Sequence, residues 1–193
     1  MIIVIRLETF ISLVKLPQIK IKTPAIINGL MISVDPRVDM ALLHRSISKK
    51  FQSINSYAFT ENTYPTNEKG LYAGISIRPV SMLRIDAYAD FYQFPWLKYL
   101  VDAPSIGKDF LIQITYSPNK QAELYVKYKD EAKQVNQTGN TTVTNFLVTI
   151  PKQNLRTQLQ YKINPSFTLR SRAELLWYDQ GGANQSRGFL AFF

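Results

Sequence analysis

Residues 70–91 read GLYAGISIRPVSMLRIDAYADF, and this stretch decides the fold. Apolar and polar side chains alternate along both of its halves with a period of two, which is the side-chain repeat of a β-strand. In the first half the apolar set is Leu71, Ala73, Ile75 and Ile77. Proline suits the turn between the halves, because no ladder hydrogen bond is lost there. The stretch therefore predicts two antiparallel strands, each with one apolar and one polar face.

The same two-residue period recurs along most of the chain. It is strong in residues 109–116, 122–129, 155–163 and 167–178, and weaker in residues 26–34, 38–47 and 52–60. The pattern predicts about ten strands of about nine to twelve residues each. Residues 1–25 fit either a further strand or an irregular tail. We therefore assign the β-domain to residues 26–193 and leave residues 1–25 unassigned.

The connections between these strands alternate in length. Short turns are predicted at residues 48–50, 79–81, 118–120 and 164–166, and long loops at residues 61–69, 94–108, 132–152 and 179–185. The fold class is therefore all-β, an antiparallel up-and-down meander. Short turns that alternate with long loops are typical of outer-membrane barrels, and so are strands long enough to cross lipid at a tilt. We expect a transmembrane β-barrel or part of a larger one.

This expectation assigns a role to each face of the predicted sheet. The polar face would line a lumen in which both signs of charge pair, through Arg84, Asp86, Asp90, Glu123, Lys127, Lys129, Arg156, Lys162, Arg170, Arg172 and Glu174. The apolar face would meet lipid through Ile75, Ile77, Ile85, Phe110, Ile112, Ile114, Leu124, Val126, Leu159 and Leu175. Aromatic residues near strand ends would lie at the lipid–water interface: Phe94, Trp96, Tyr99, Tyr116, Tyr128, Tyr161 and Trp177. A soluble lipocalin-like barrel that binds an apolar ligand fits the same stripes with the faces reversed.

The composition excludes several classes of function. The chain of 193 residues has no Cys and a single His, which removes thiolate zinc sites, iron–sulfur clusters and multi-His metal sites, so we expect no metal and no cofactor. The net charge of +9 arises partly in residues 1–50, where eight basic and three acidic residues leave +5, and the remaining +4 is spread thinly. A phosphate-binding surface usually shows a basic cluster, so nucleic acid is an unlikely partner.

Enzymatic activity has little support in the sequence. His44 and Ser46 are two residues apart and would share one strand face, which leaves a barrel-wall lipid hydrolase as a further alternative. Nothing in the sequence fixes a third catalytic partner. Asp86 and Asp90 share a face, but four residues along a strand are about 13 Å, which is too far for a paired-carboxylate glycosidase site. We therefore expect a non-enzymatic protein.

Several segments resemble a Bacteroidota protein family whose members join helix-hairpin-helix segments to a large outer-membrane β-barrel. The segments are ENTYPTNEKGLYAG, DAYADFYQFPWLKY, DAPSIGKDFL and NLRTQLQYKI, and the resemblance spans roughly residues 42–190. It implies an outer-membrane location with membrane lipid as the surrounding partner. The sequence also ends in SRGFLAFF, and a C-terminal aromatic residue such as Phe193 resembles the terminal signal read by the barrel-assembly machinery, so we expect that machinery as a further partner. The helix-hairpin-helix part is absent, so DNA binding is not implied.

The same resemblance bears on the extent of the barrel. The family barrel is longer at both ends, and no signal peptide is evident, so we expect a fragment that missing strands of a longer barrel would complete. Basic residues outnumber acidic ones by seven to four in the predicted lumen set. If a channel exists, we expect it to prefer anions mildly.

Overall fold

The computed structural model describes residues 6–14, 25–51, 58–137, 145–179 and 185–192, with side chains for residues 25–51, 58–137 and 145–178. Ten strands follow one another: β1 (Arg6–Val14), β2 (Ala25–Asp35), β3 (Val38–Ile47), β4 (Glu68–Val80), β5 (Leu83–Phe94), β6 (Ser105–Tyr116), β7 (Ala122–Asn136), β8 (Leu147–Asn164), β9 (Phe167–Asp179) and β10 (Gln185–Phe192). They form one antiparallel sheet in sequence order. The predicted all-β up-and-down meander is therefore confirmed.

The connections alternate in length, as predicted, but the short turn predicted at residues 48–50 is instead the start of a long connection. Residues 180–184 of the loop predicted at residues 179–185 lie outside the described residues. Residues 36–37, 81–82, 117–121 and 165–166 make short turns at one end of the sheet, and residues 48–67, 95–104 and 137–146 connect strands at the other. We call these the short-turn end and the long-loop end. Asparagine explains two of the turns: the Asn164 side chain accepts the backbone N–H groups of Ser166 and Phe167. Asn119 does the same for Gln121 and Ala122, as such residues commonly do in turns.

Several predicted boundaries were wrong. Residues 58–60 of the predicted strand 52–60 lie in a loop, and residues 52–57 are outside the described residues. The loop predicted at residues 94–108 is shorter, because β6 begins at Ser105, whereas the loop predicted at residues 61–69 is part of a longer connection, residues 48–67. The loop predicted at residues 132–152 is mostly strand. These strand ends were not predicted because their residues are mostly polar. Backbone pairing between the strands continues there although the apolar alternation has ended.

Pro151 shows how a residue typical of turns fits inside β8. It lies opposite Ala132 of β7, and pairing of β8 with β9 begins only at Lys152. One side of β8 therefore has no ladder partner at residue 151. A proline is tolerated at such an edge position, because its missing N–H leaves no neighbour unsatisfied.

The two ends of the sheet remain separate. Residues 6–14, within the segment left unassigned above, form β1 and pair with β2, while β10 pairs with β9. Among the described residues β1 and β10 do not pair with each other, so the sheet is not closed.

Burial is concentrated at the long-loop end. A small apolar cluster there consists of Ala25, Ile47 and Phe51, with Ile27 packed against it. The largest fully buried side chains are charged: Arg45, Glu68 and Asp90. In the part of the chain that the structure describes, no helix has the length and apolar character to span a bilayer.

Candidate functional site: the polar face of the sheet

The strand register collects the predicted lumen residues on one face. Asp86 lies opposite Gln113 of β6, Gln113 lies opposite Lys127 of β7, and Lys127 lies opposite Arg156 of β8. The remaining predicted residues follow at two-residue steps along the same strands, so all eleven share one side. We call this side the polar face, and it also carries Arg45 and Glu68.

The other side is the apolar face, and it carries all ten predicted lipid-facing residues. Five of them are exposed, among them Ile112 at 44%, Val126 at 38% and Leu159 at 47%, and the other five are half-buried. Within residues 68–178, charged residues occur on this face only near the long-loop end, at Lys69, Lys108 and Asp130. Over the same residues, the rest of the apolar face carries no charge. On β5, for example, its residues between positions 83 and 91 are Leu83, Ile85, Ala87, Ala89 and Phe91.

Arg45 forms the centre of the polar face at the long-loop end. Its Nε donates to Glu68 Oε1 at 2.5 Å, and its two Nη atoms donate to both carboxylate oxygens of Asp90 at 2.9 and 3.0 Å. All three side chains are buried, and Arg45 is 0% exposed. A bidentate guanidinium–carboxylate contact is among the strongest hydrogen-bonded pairs in proteins. The contact joins β3 to β5 across β4.

The strand between Arg45 and Asp90 leaves room for this contact. Gly70 of β4 lies directly opposite Arg45, and a Cβ atom there would come within 2.5 Å of Arg45 Cζ. The rings of Phe59 and Tyr92 lie 5.5 and 5.9 Å from Arg45 Cζ, within range of a cation–π contact. The guanidinium is thus enclosed by carboxylates and aromatic rings.

The loop before β4 covers this end of the polar face. We define the covering loop as residues 58–67. Phe59 packs edge-on against Tyr72 with ring centroids 5.1 Å apart. The backbone N–H groups of Glu61 and Asn62 donate to the Glu68 carboxylate. The loop is therefore held by the same carboxylate that binds Arg45.

A second charge network extends this arrangement to β6 and β7. Lys129 Nζ lies 2.9 Å from Asp109 and 3.3 Å from Glu131. Lys133 Nζ lies 2.6 Å from Glu131 and 3.3 Å from Glu61 of the covering loop. The covering loop is thus held to β4 by hydrogen bonds with Glu68 and to β7 by the ion pair between Glu61 and Lys133.

The polar face of β7 to β9 is different. Arg156 forms a bidentate contact with Glu174: its Nε and Nη2 donate to the two carboxylate oxygens, each at 3.0 Å. Arg172 donates instead to the neutral side chain of Gln158, and Arg170 donates to Gln160. Within the described residues, Arg170, Arg172 and Lys127 have no carboxylate within 4.0 Å.

The loops at the long-loop end are also tied to one another. Asn67, with a left-handed φ of 56°, donates from its side chain to the carbonyls of Trp96 and Leu97. Asn145 donates to the Asp102 carboxylate at 2.8 Å. Hydrogen bonds from the side chains of Asn145 and then Asn136 hold the pKa of Asp102 below its usual value. Burial, with the neighbouring charge of Lys133, lowers the pKa of Lys98.

Six of the seven predicted interface aromatics fall into three groups. Tyr116, Tyr161 and Trp177 lie on the apolar face near strand ends, and Trp96 and Tyr99 lie exposed in the loop after β5. Tyr128 lies on the apolar face but in mid-strand, because β7 extends further than predicted.

Phe94 differs from the expected position. It lies on the polar face, 3% exposed, with Lys98 Nζ 3.8 Å from its ring centroid. Its even position places it with Tyr92 and Asp90, since alternate residues of a strand share a face.

His44 and Ser46 share the apolar face, as their spacing predicted. His44 borders an exposed groove of about 460 Å³ that is also lined by Lys69, Leu71, Phe91 and Ile106. A shared face alone supplies no oriented base and no oxyanion donors, so the geometry adds nothing to the hydrolase alternative. Within the described residues, no group of three or more His, Cys, Asp or Glu side chains comes together as potential metal ligands.

Sequence reasoning missed the most buried part of the polar face. Arg45, Glu68, Asp109, Glu131 and Lys133 were not among the predicted lumen residues. The sequence held one usable signal for Arg45, because Arg45 and Asp39 are the only Lys, Arg, Asp or Glu residues in the predicted strand 38–47. No local signal marked Glu61, which reaches Lys133 only through the path of the covering loop.

No family model matches the chain, and neither a curated protein nor a solved structure matches it. The function is therefore argued from the two faces of the sheet.

Proposed function

We propose that the chain is a β-barrel protein of the bacterial outer membrane, structural or pore-type and non-enzymatic, whose polar face lines the lumen. One observation carries this proposal: the apolar face is largely exposed and almost free of charge, while the largest fully buried side chains, Arg45, Glu68 and Asp90, are charged, paired and gathered on the opposite face. A soluble barrel buries its apolar stripe, and water-exposed apolar patches of this extent are rare in soluble monomers. Lipid is the solvent that suits such a face.

The dimensions of the apolar face support the same conclusion. Nine strand residues extend about 26 Å, and tilted strands of about 9–11 residues cross the hydrocarbon layer. Tyr116 and Tyr161 lie near one border of the face and Trp177 lies near the other, where aromatic rings favour the lipid–water interface. Charged residues of this face are confined to one border.

The open edges bear on what completes the barrel. In lipid, unpaired edge groups of β1 and β10 would be costly, so the barrel requires closure of these edges or additional strands. We propose completion by further strands, as in the Bacteroidota family that the chain resembles, with insertion by the barrel-assembly machinery.

Matched substitutions on neighbouring residues test the proposal. Ile112 and Gln113 are adjacent on β6 and lie on opposite faces. Ile112→Lys should sharply reduce recovery of the full chain in the alkali-washed membrane fraction, because a lysine at mid-depth costs about 2–4 kcal/mol in lipid. Gln113→Lys should insert like the parent.

The outcomes separate the two kinds of barrel. If the parent chain is monomeric and folded without detergent or lipid, the soluble lipocalin-like barrel is correct and the proposal fails. Equal membrane recovery of the two lysine variants would also contradict it.

A further inference from the structure

We propose that the polar face of β7 to β9 is a binding and passage site for small anions such as chloride and inorganic phosphate. This inference rests on the proposed function, since it makes this wall the selective part of the lumen. The relevant residues are Lys127, Lys162, Arg170 and Arg172, together with the glutamines that hold the two arginines.

The first argument is an imbalance of charge between two parts of one face. On β3 to β6 the polar face carries three arginines and five carboxylates: Arg45, Arg78 and Arg84, with Asp39, Glu68, Asp86, Asp90 and Asp109. On β7 to β9 it carries eight cations and three carboxylates: Lys127, Lys129, Lys133, Lys152, Arg156, Lys162, Arg170 and Arg172, with Glu123, Glu131 and Glu174. The positive charge of the lumen is therefore concentrated on one wall.

The second argument is the way in which the cations are held. Gln158 Oε1 accepts from Arg172 Nε and Nη2 at 3.0 and 2.9 Å, and Gln160 Oε1 accepts from Arg170 Nη2 at 3.0 Å. A neutral amide orients a guanidinium without cancelling its charge. Each guanidinium has five N–H donors, so both arginines retain donors for an anion.

The third argument is access from one side. At the short-turn end a cavity of about 580 Å³ opens between the turns and is lined by Lys120, Lys162, Asn119, Gln160 and Glu123. Arg170 lies beside Gln160 on β9. At the long-loop end, by contrast, the covering loop and its ion pairs occupy the polar face. An anion would enter from the short-turn end, and lysine and arginine would raise its local concentration.

The test is a measurement of ion selectivity in planar lipid bilayers. The full chain is reconstituted, its insertion is verified by protease protection, and the reversal potential is read in a KCl gradient. We expect chloride to be more permeant than potassium. Arg170→Gln with Arg172→Gln should lower the permeability ratio by at least about threefold, because two of the oriented cations are gone. Millimolar inorganic phosphate should reduce the chloride current of the parent more than that of this double variant.

Two controls make the result specific. Arg170→Lys with Arg172→Lys keeps the charge and should keep the preference. Arg84→Gln removes an arginine of the paired region, where Arg84 lies 2.9 Å from Asp86, and should leave the ratio nearly unchanged. If the double glutamine variant behaves like Arg84→Gln, or if the inserted chain prefers cations or carries no current, the inference is wrong. A chain that does not insert contradicts the proposed function instead.

Discussion

On β3 to β6 each arginine of the polar face touches a carboxylate: Arg45 binds Glu68 and Asp90, Arg78 binds Asp39, and Arg84 binds Asp86. On β7 to β9 two arginines bind only glutamine. Pairing stabilises a buried charge, whereas like charges left close together on neighbouring strands are unfavourable. The ion pairs of the first region therefore hold neighbouring strands together, whereas the arginines of the second keep N–H donors available for the anion proposed above.

The largest effect is expected when Arg45 is removed, because it is the buried cation of β3 to β6, where each arginine is paired with a carboxylate. Arg45→Met leaves Glu68 and Asp90 buried without their partner and should lower the free energy of unfolding by about 3–5 kcal/mol. Arg170→Met, in the other region, should change it by less than about 1 kcal/mol, because Arg170 is exposed and its partner is neutral. The measurement is urea unfolding of the chain folded in lipid vesicles. Similar losses in both variants would remove the distinction.

A smaller change tests whether the space above Gly70 matters. Gly70→Ala would place a Cβ atom 2.5 Å from Arg45 Cζ and should cost about 1–3 kcal/mol by displacing the guanidinium. Gly29→Ala is the matched control, because its Cβ would meet only Leu43 Cδ1 at 3.9 Å. The same unfolding assay compares them. An unaffected Gly70→Ala would mean that Arg45 moves freely, contrary to its enclosed position.

The covering loop offers a test with a local readout. Lys133→Met breaks the contacts with Glu131 and Glu61, but Lys133 is 37% exposed, so screening limits the loss of stability to about 1 kcal/mol or less. Protease cleavage within residues 58–67 should nevertheless become faster. Lys108→Met on the apolar face is the control and should cleave at the parental rate. No difference between the two would show that β4 alone holds the loop.

The smallest expected effect depends on pH. Because hydrogen bonds lower the pKa of Asp102 in the folded chain, they stabilise the loops at pH values above the ordinary carboxyl pKa of about 4. This stabilisation is lost as the pH falls through the lowered pKa, when the folded carboxylate takes up its proton. The protection factors of the amides of residues 100–103, which correct for the slower intrinsic exchange in acid, should therefore fall as the pH is lowered. Asp102→Asn should abolish that pH dependence, and a persistent dependence would assign it to another group.

Much of the fold was accessible from the sequence, and less of the site was. The two-residue period in residues 70–91 is a local property, and it gave the strands, their faces and the short turns without any knowledge of the partner strands. The ion pairs of Arg45 depend on register between β3 and β5, and the contact of Glu61 with Lys133 depends on the path of a loop. Such long-range geometry leaves no local pattern. The position of Phe94 was mispredicted for a related reason. The loop that was expected to begin at Phe94 begins one residue later, so Phe94 is still part of β5 and follows the alternation of its two faces.

The Arg45 contact also constrains the order in which the sheet assembles. Its partners come from the start of β4 and from β5, so a lone β3–β4 hairpin would carry a guanidinium with only half of its carboxylates, and a lone β4–β5 hairpin would carry two carboxylates with no cation. Neither intermediate suits a low-dielectric environment. In the proposed membrane barrel, strands β3, β4 and β5 should therefore insert as one cooperative unit, to which the later hairpins are added.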